Sequence, residues 1–244
     1  MAYTAKTWQD VNADGSIPDG AIPLDAKNLN RMEKGIEEGV NRVNIGTFQL
    51  DGDVTVDLGY KPRYFTAISD DGTSSFSMFQ NTTTGICKLS ETGFTIVGTK
   101  EIDSDNLSEY FEITNDSYYF AYNATNKRFE TNNKREDSTE AITKLRAKFD
   151  IKIEFIYGYS TEPAYDKFYL SIEDGNGNTV QDIETAVSGH IDEKIYRGIL
   201  KAGQVIVFRY TKDSSGYKNS DQCYFGNIKK IGLKNGQWSY MVIK

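Results

Sequence analysis

Histidine is almost missing. His190 is the only one in 244 residues, and cysteine occurs twice, at Cys87 and Cys223. Zinc peptidase and amidase centres draw on several such ligands, and no Cys-x-x-Cys spacing is present, so that chemistry is excluded. The two cysteines stand far apart and read as packed, unbridged thiols. His190 lies in Ser188-Gly189-His190-Ile191-Asp192, read as a loop before a strand. No Gly-x-Ser-x-Gly elbow accompanies it, which removes the usual setting of a Ser-His-Asp nucleophile. Glycosidases need only paired carboxylates, and acids are plentiful, but no spacing singles out a pair. No glycine-rich loop leads into a helix to cradle phosphates. Basic charge is short as well: 28 Lys and Arg against 35 Asp and Glu leave a net charge of -7. That balance argues against a nucleic-acid surface, which needs a basic stripe. Long hydrophobic runs are missing, so no membrane span of about 20 residues is expected. The first residues lack the charged-then-apolar pattern of a secretory signal. The expectation is a non-enzyme, made in the cytoplasm without a signal peptide, with no membrane insertion and no nucleic-acid partner.

Aromatics are what the chain has in quantity: 16 Tyr and 13 Phe, in a sequence only 38% hydrophobic. That mix fits surface-rich β modules better than a large α/β enzyme. One stretch stands apart. Leu29, Met32, Ile36, Val40 and Val43 recur three or four apart, the spacing of one helical stripe. Asp25 precedes the stripe as an N-cap and Pro23 stiffens the entry. Gly35 and Gly39 each weaken a lone helix by about 1 kcal/mol relative to Ala. A narrow stripe on so costly a helix calls for a packing partner, and the expected partner is another copy of the chain. Leu29, Met32, Ile36 and Val43 are the expected oligomerisation residues.

Trp8, a Gly/Pro-rich loop, Ile22-Pro23-Leu24-Asp25-Ala26 and then Asn28-Leu29-Asn30-Arg31-Met32-Glu33-Lys34-Gly35-Ile36 resemble the opening of tail-fibre and baseplate proteins. Those proteins belong to phages and tailocins of Gram-positive hosts. The match covers roughly 35 residues. It implies a segment that attaches to other tail or baseplate proteins and trimerises, on a virion or tailocin particle. Further on, Leu58–Phe65, Gly93–Ile96 and Tyr118–Asn123 resemble a small β-domain common in tail fibres. Within the last hundred residues, Gly203–Ser215 and Asp221–Ile228 are similar to jelly-roll domains of the carbohydrate-binding or adhesion type. Together these resemblances imply a receptor-binding protein whose partner is a bacterial cell-surface glycan. A purely architectural fibre or baseplate role is the alternative. A wall- or glycan-degrading tail enzyme and a carbohydrate-binding module are further ones.

Asp10-Val11-Asn12-Ala13-Asp14-Gly15-Ser16-Ile17 is the first half of a calcium loop, with Asp10, Asn12 and Asp14 as oxygen ligands and Gly15 at the sharp turn. Position 12 of that loop is Ala21, where a bidentate carboxylate belongs. Calcium held by these three residues and an ordinary Asn/Asp/Gly turn are both compatible with the string. A dockerin would need a second such loop, which the chain lacks. No other cofactor is expected.

The expected fold class is mainly β. Residues 1–45 form an N-terminal loop and amphipathic helix for tail attachment, and 46–125 a small β-domain opening on a hairpin at Asp51-Gly52. Residues 126–140 are polar and read as a linker. Residues 141–244 read as a jelly-roll-like β-sandwich, with strand runs parted by turns such as Asp174-Gly175-Asn176-Gly177-Asn178. Phe208, Tyr210 and Phe225 alternate within strands and are expected in the core. Tyr159, Tyr165 and Tyr217, read as loop residues, and Trp238 are the expected glycan contacts, because sugar C–H faces stack on such rings.

Overall fold

The computed structural model describes residues 26–40, 42–80, 86–134, 136–214 and 220–244, and for 26–29 and 40 the backbone alone. Asp10, Asn12, Asp14, Tyr217 and the side chain of Leu29 therefore lie outside the described residues. The chain runs α1 (Ala26–Val40), β1 (Val43–Leu50), β2 (Val54–Asp57), β3 (Tyr64–Ser69), β4 (Ser75–Phe79), β5 (Cys87–Leu89), β6 (Gly93–Ile96), β7 (Lys100–Ile102), α2 (Leu107–Tyr110), β8 (Phe111–Asn115), β9 (Phe120–Asn123), β10 (Arg128–Thr131), β11 (Glu140–Ala147), β12 (Ile151–Ser160), β13 (Lys167–Glu173), β14 (Thr179–Val187), β15 (His190–Leu200), β16 (Val205–Thr211), β17 (Gln222–Lys230) and β18 (Gly236–Ile243). The chain is mainly β, as its composition leads one to expect.

Two compact units result. The first takes residues 1–97 together with 234–244; the second takes 98–233. In the first, one sheet has the order β1-β18-β3-β4 and a second the order β2-β6-β5. Phe48, Phe65, Phe94, Trp238 and Tyr240 fill the core, with Phe65 and Phe94 rings 4.3 Å apart. Trp238 is fully buried there and donates from Nε1 to the Lys234 carbonyl at 3.1 Å. The last strand thus belongs to this unit and not to the sandwich in which residues 141–244 were grouped. Pairing with β1 and β3 across nearly the whole chain decides its place, and no local pattern encodes that pairing.

The expected linker 126–140 is likewise not a linker. It contains β10, which pairs with both β9 and β17. Its polarity is that of a strand whose side chains engage one another: Glu130 and Asn133 are buried. Val43 is also not on the helix. It opens β1 opposite Ile243, where a β-branched residue fits. On α1, Met32 and Ile36 remain 60% and 49% exposed, and no described helix is long and apolar enough to cross a membrane.

The second unit is a sandwich. One sheet has the order β15-β12-β17-β10-β9, with β7 also on β17; the other has the order β14-β13-β16-β11-β8. Alternation makes the two inner faces. In β11 and β13 every second residue is buried, the period of a strand with one face in a core. Phe225 from one sheet and Phe208 from the other stack with ring centres 3.8 Å apart. From β7 to β17, consecutive strands lie in opposite sheets at every step except β9 to β10 and β13 to β14, giving the jelly-roll-like winding. Phe208, Tyr210 and Phe225 are fully buried, as their strand positions imply. At the base of the unit the Gly232 amide donates to the Thr99 hydroxyl and the Thr99 amide to the Leu233 carbonyl, tying its two ends together.

Candidate ligand-binding face

The outer face of the larger sheet carries the side chains that the core excludes. Ladder pairing aligns Ser160 with both His190 and Gln222, Gly158 with Tyr224, Tyr224 with Glu130, and Arg128 with Gly226. Two glycines flatten this area. A Cβ at Gly158 would lie 2.5 Å from the Tyr224 hydroxyl oxygen, and one at Gly226 would lie 2.8 Å from Arg128 Cβ. Their missing side chains let Tyr224 lie across β12 and Arg128 lie across β17. The Arg128 guanidinium then sits 3.8 Å from the centre of the Tyr224 ring, a cation–π contact.

Glu130 holds that guanidinium in place. Its Oε1 accepts from Arg128 Nε at 2.6 Å and from Asn126 at 2.7 Å; its Oε2 accepts from Asn123 at 2.8 Å and from Gln222 at 3.0 Å. Burial raises the cost of its charge, yet the donors Asn126, Arg128 and Asn123 outweigh it and hold the carboxyl below its ordinary value. Burial pushes the Tyr224 phenol up, against the opposing pull of Arg128. Arg128, Gln222, Ser160, His190, Asp192 and Tyr224 line a shallow depression of about 150 Å³. The arrangement offers fixed donors and acceptors on one plane, beside a ring.

His190 Nε2 donates to Asp192 Oδ1 at 2.7 Å, and both side chains are exposed. Ser160 is the cross-strand partner of His190. Its hydroxyl accepts from the Ser220 amide at 3.4 Å, and no hydrogen bond joins it to His190 among the described residues. The residue types of a Ser-His-Asp set therefore meet here with only the His–Asp contact formed. His190 is the first residue of β15 and not a loop residue.

The aromatic candidates divide. Tyr165 is 60% exposed on the loop after β12, as a ligand contact requires. Tyr159 is not a loop residue: β12 runs on to Ser160, and alternation turns the Tyr159 ring inward against Phe168, at 5.7 Å between centres. It is buried and borders the depression only from beneath. Trp238 is in the core of the other unit, so it contacts no ligand. Sequence reading missed Arg128 and Glu130, which stand in the expected linker 126–140, and Tyr224, which stands in the jelly-roll-like block Asp221–Ile228. The Arg-x-Glu spacing of β10, which puts both side chains on one face, was the available clue.

The Tyr210-Thr211-Lys212-Asp213 segment serves structure. Lys212 is buried, with Nζ 2.6 Å from Asp221 Oδ2 and 3.5 Å from Asp166 Oδ2, and the Tyr210 hydroxyl donates to the same Asp166 oxygen at 3.0 Å. Among the described residues no group of three or more His, Cys, Asp or Glu is arranged to hold a metal ion.

No protein-family model matches this chain, and no curated protein matches it. Among solved structures it is similar to the secreted serine protease VesC from Vibrio cholerae, at 12% identity over 79% of this chain, with a TM-score of 0.40. It spans about half, 48%, of that protease. It is also similar to a family 11 carbohydrate-binding module from Clostridium thermocellum, at 15% identity over 57% of this chain and 98% of the module, with a TM-score of 0.29. A third likeness is to the enzymatically active domain of bacteriophage CBA120 tailspike protein 4, at 10% identity over 55% of this chain and 18% of that one, with a TM-score of 0.26. At TM-scores this low, none of the three carries an inference about this chain.

Proposed function

We propose that this protein is a non-enzymatic component of a phage or tailocin tail, and that its sandwich unit binds a glycan on the bacterial surface. The observation that carries the binding half is the pinned Arg128–Tyr224–Glu130–Gln222 lattice on an outward sheet face. Sugar hydroxyls each donate and accept, so they are recognised best by polar groups held in a fixed plane. Here Glu130 fixes the guanidinium while the far side of that group, Gln222 and Asp192 remain at the surface. Tyr165 and the neighbouring loops border the same end of the sheet. The tail half rests on the opening resemblance. The exposed Met32 and Ile36 on α1 fit its expected use as a homotrimer seam, with other tail proteins as further partners.

The test is binding of the fluorescently labelled full chain to intact Gram-positive cells and to their purified wall glycans. Strain-selective binding that falls about tenfold or more in Gln222→Ala and Asp192→Ala variants, with unchanged melting temperature, is the expected result. No binding to any host tested, even for the assembled oligomer with its avidity, refutes it. Ile195 and Ile199 stand exposed and outward on the edge strand β15. Such a strip suits a protein neighbour and favours the architectural reading in that event.

A further inference from the structure

The larger sheet has a break in it. Along one side of β17, Tyr224–Gly226 pair with β10, while Ile228–Lys230 pair with β7. Asn227 falls between, with φ at +46°, and the two partner strands leave a notch of about 270 Å³. Phe129 and Tyr122 form one wall, with ring centres 5.2 Å apart, and Tyr122 is 38% exposed. Lys127, Asn227, Glu101 and Asp103 supply the polar rim. Lys127 is the last residue of the β9–β10 turn and holds φ at +51°, a backbone state in which glycine is the usual occupant. A long side chain kept at such a position, beside an asparagine also held in the left-handed region, concentrates strain on the notch. Among the described residues neither the Lys127 nor the Asn227 side chain has a hydrogen-bond or ion-pair partner.

We propose that this notch is a second binding subsite, for the ring of one neutral pyranose. It rests on the reading of the sandwich unit as glycan-binding. Three features fix the ligand class. The Tyr122 ring offers an apolar face for sugar C–H groups. The rim mixes donors with acceptors, which suits hydroxyls better than an ion of either sign. The volume is just below the roughly 300 Å³ at which drug-sized sites begin, so it admits one ring and not a chain. Because β10 turns Arg128 to the outer face and Phe129 to the opposite one, against Phe225, the notch is separate from the lattice around Tyr224.

The test is saturation-transfer NMR and titration of the full chain with methyl pyranosides of glucose, galactose, mannose and N-acetylglucosamine. Cell binding of the same samples is measured in parallel. Tyr122→Ala removes the platform from an edge strand. Asn227→Gly removes only the amide and suits the positive φ, so its fold is preserved. The expected result is binding by the wild type that weakens about tenfold in Tyr122→Ala and severalfold in Asn227→Gly. Pyranoside binding equal in all three proteins overturns the notch while leaving the glycan reading intact. No pyranoside binding by the wild type also overturns it, and the cell assay then decides the glycan reading by itself.

Discussion

Glu130 shows how one carboxylate can organise a whole sheet face. Four donors converge on a carboxylate in a nearly dry setting. An amide in its place would set an N–H₂ against them, at a cost of about 1–3 kcal/mol for the partners left unmet. Because the folded carboxyl titrates below its unfolded value, its contribution is fully present above the unfolded range near pH 4.3. It is lost as pH falls through the lower folded value. Thermal melts of Glu130→Gln across the acid range should show a lower melting temperature at neutral pH and a flatter fall below about pH 4.3. A variant with the wild-type acid limb would show that the network is not ionic. At this scale the sequence was partly legible. Phe208, Tyr210 and Phe225 announced burial by alternation. Tyr159 did not announce its inward turn, because β12 outlasts the run of apolar residues that marks its beginning.

At the scale of elements, short-range pattern located most strands but not their partners. The strand near the C-terminus was visible as alternating aromatics and aliphatics from Trp238 to Ile243. Which sheet it joins depends on pairings with residues 43–50 and 64–69, and these are set by shape complementarity over long loops. β18 occupies the middle of the first unit's four-stranded sheet. Trp238→Ala should therefore cost about 3–5 kcal/mol, read as loss of the first unit's melting transition while the sandwich transition persists. Equal loss of both transitions would contradict the division into two units. β10 illustrates the opposite failure. Its four residues are too polar for a strand pattern to be seen, since its outward side chains are spent on one another. The Lys212 cluster belongs at this scale too. A buried ammonium between two buried aspartates near the end of β16 stabilises the sandwich only while all partners remain, so loss of one leaves a charge stranded.

At the scale of the molecule, the second unit is an insertion in the sequence of the first. The helix that precedes both keeps Met32 and Ile36 at the surface. These are the residues whose spacing predicts a stripe. If the stripe is a seam between copies, light scattering of the full chain at micromolar concentration gives the mass of a trimer. A Met32→Ser/Ile36→Ser double variant then gives that of a monomer with both units folded. A wild-type monomer would remove the seam. The proposed glycan face was less legible than the helix. A stripe is written in local spacing, whereas the face is assembled from β10, β12, β15 and β17, which lie up to about a hundred residues apart and share only their outward register.

That face is the centre of the account, and hydrogen–deuterium exchange of the full chain tests it most directly. The chain is compared with and without purified wall glycan from a strain it binds. The prediction is added protection in three segments together: residues 158–160, 190–192 and 220–224. Protection confined to the first unit, or none in these segments at a glycan concentration that saturates cell binding, would contradict it.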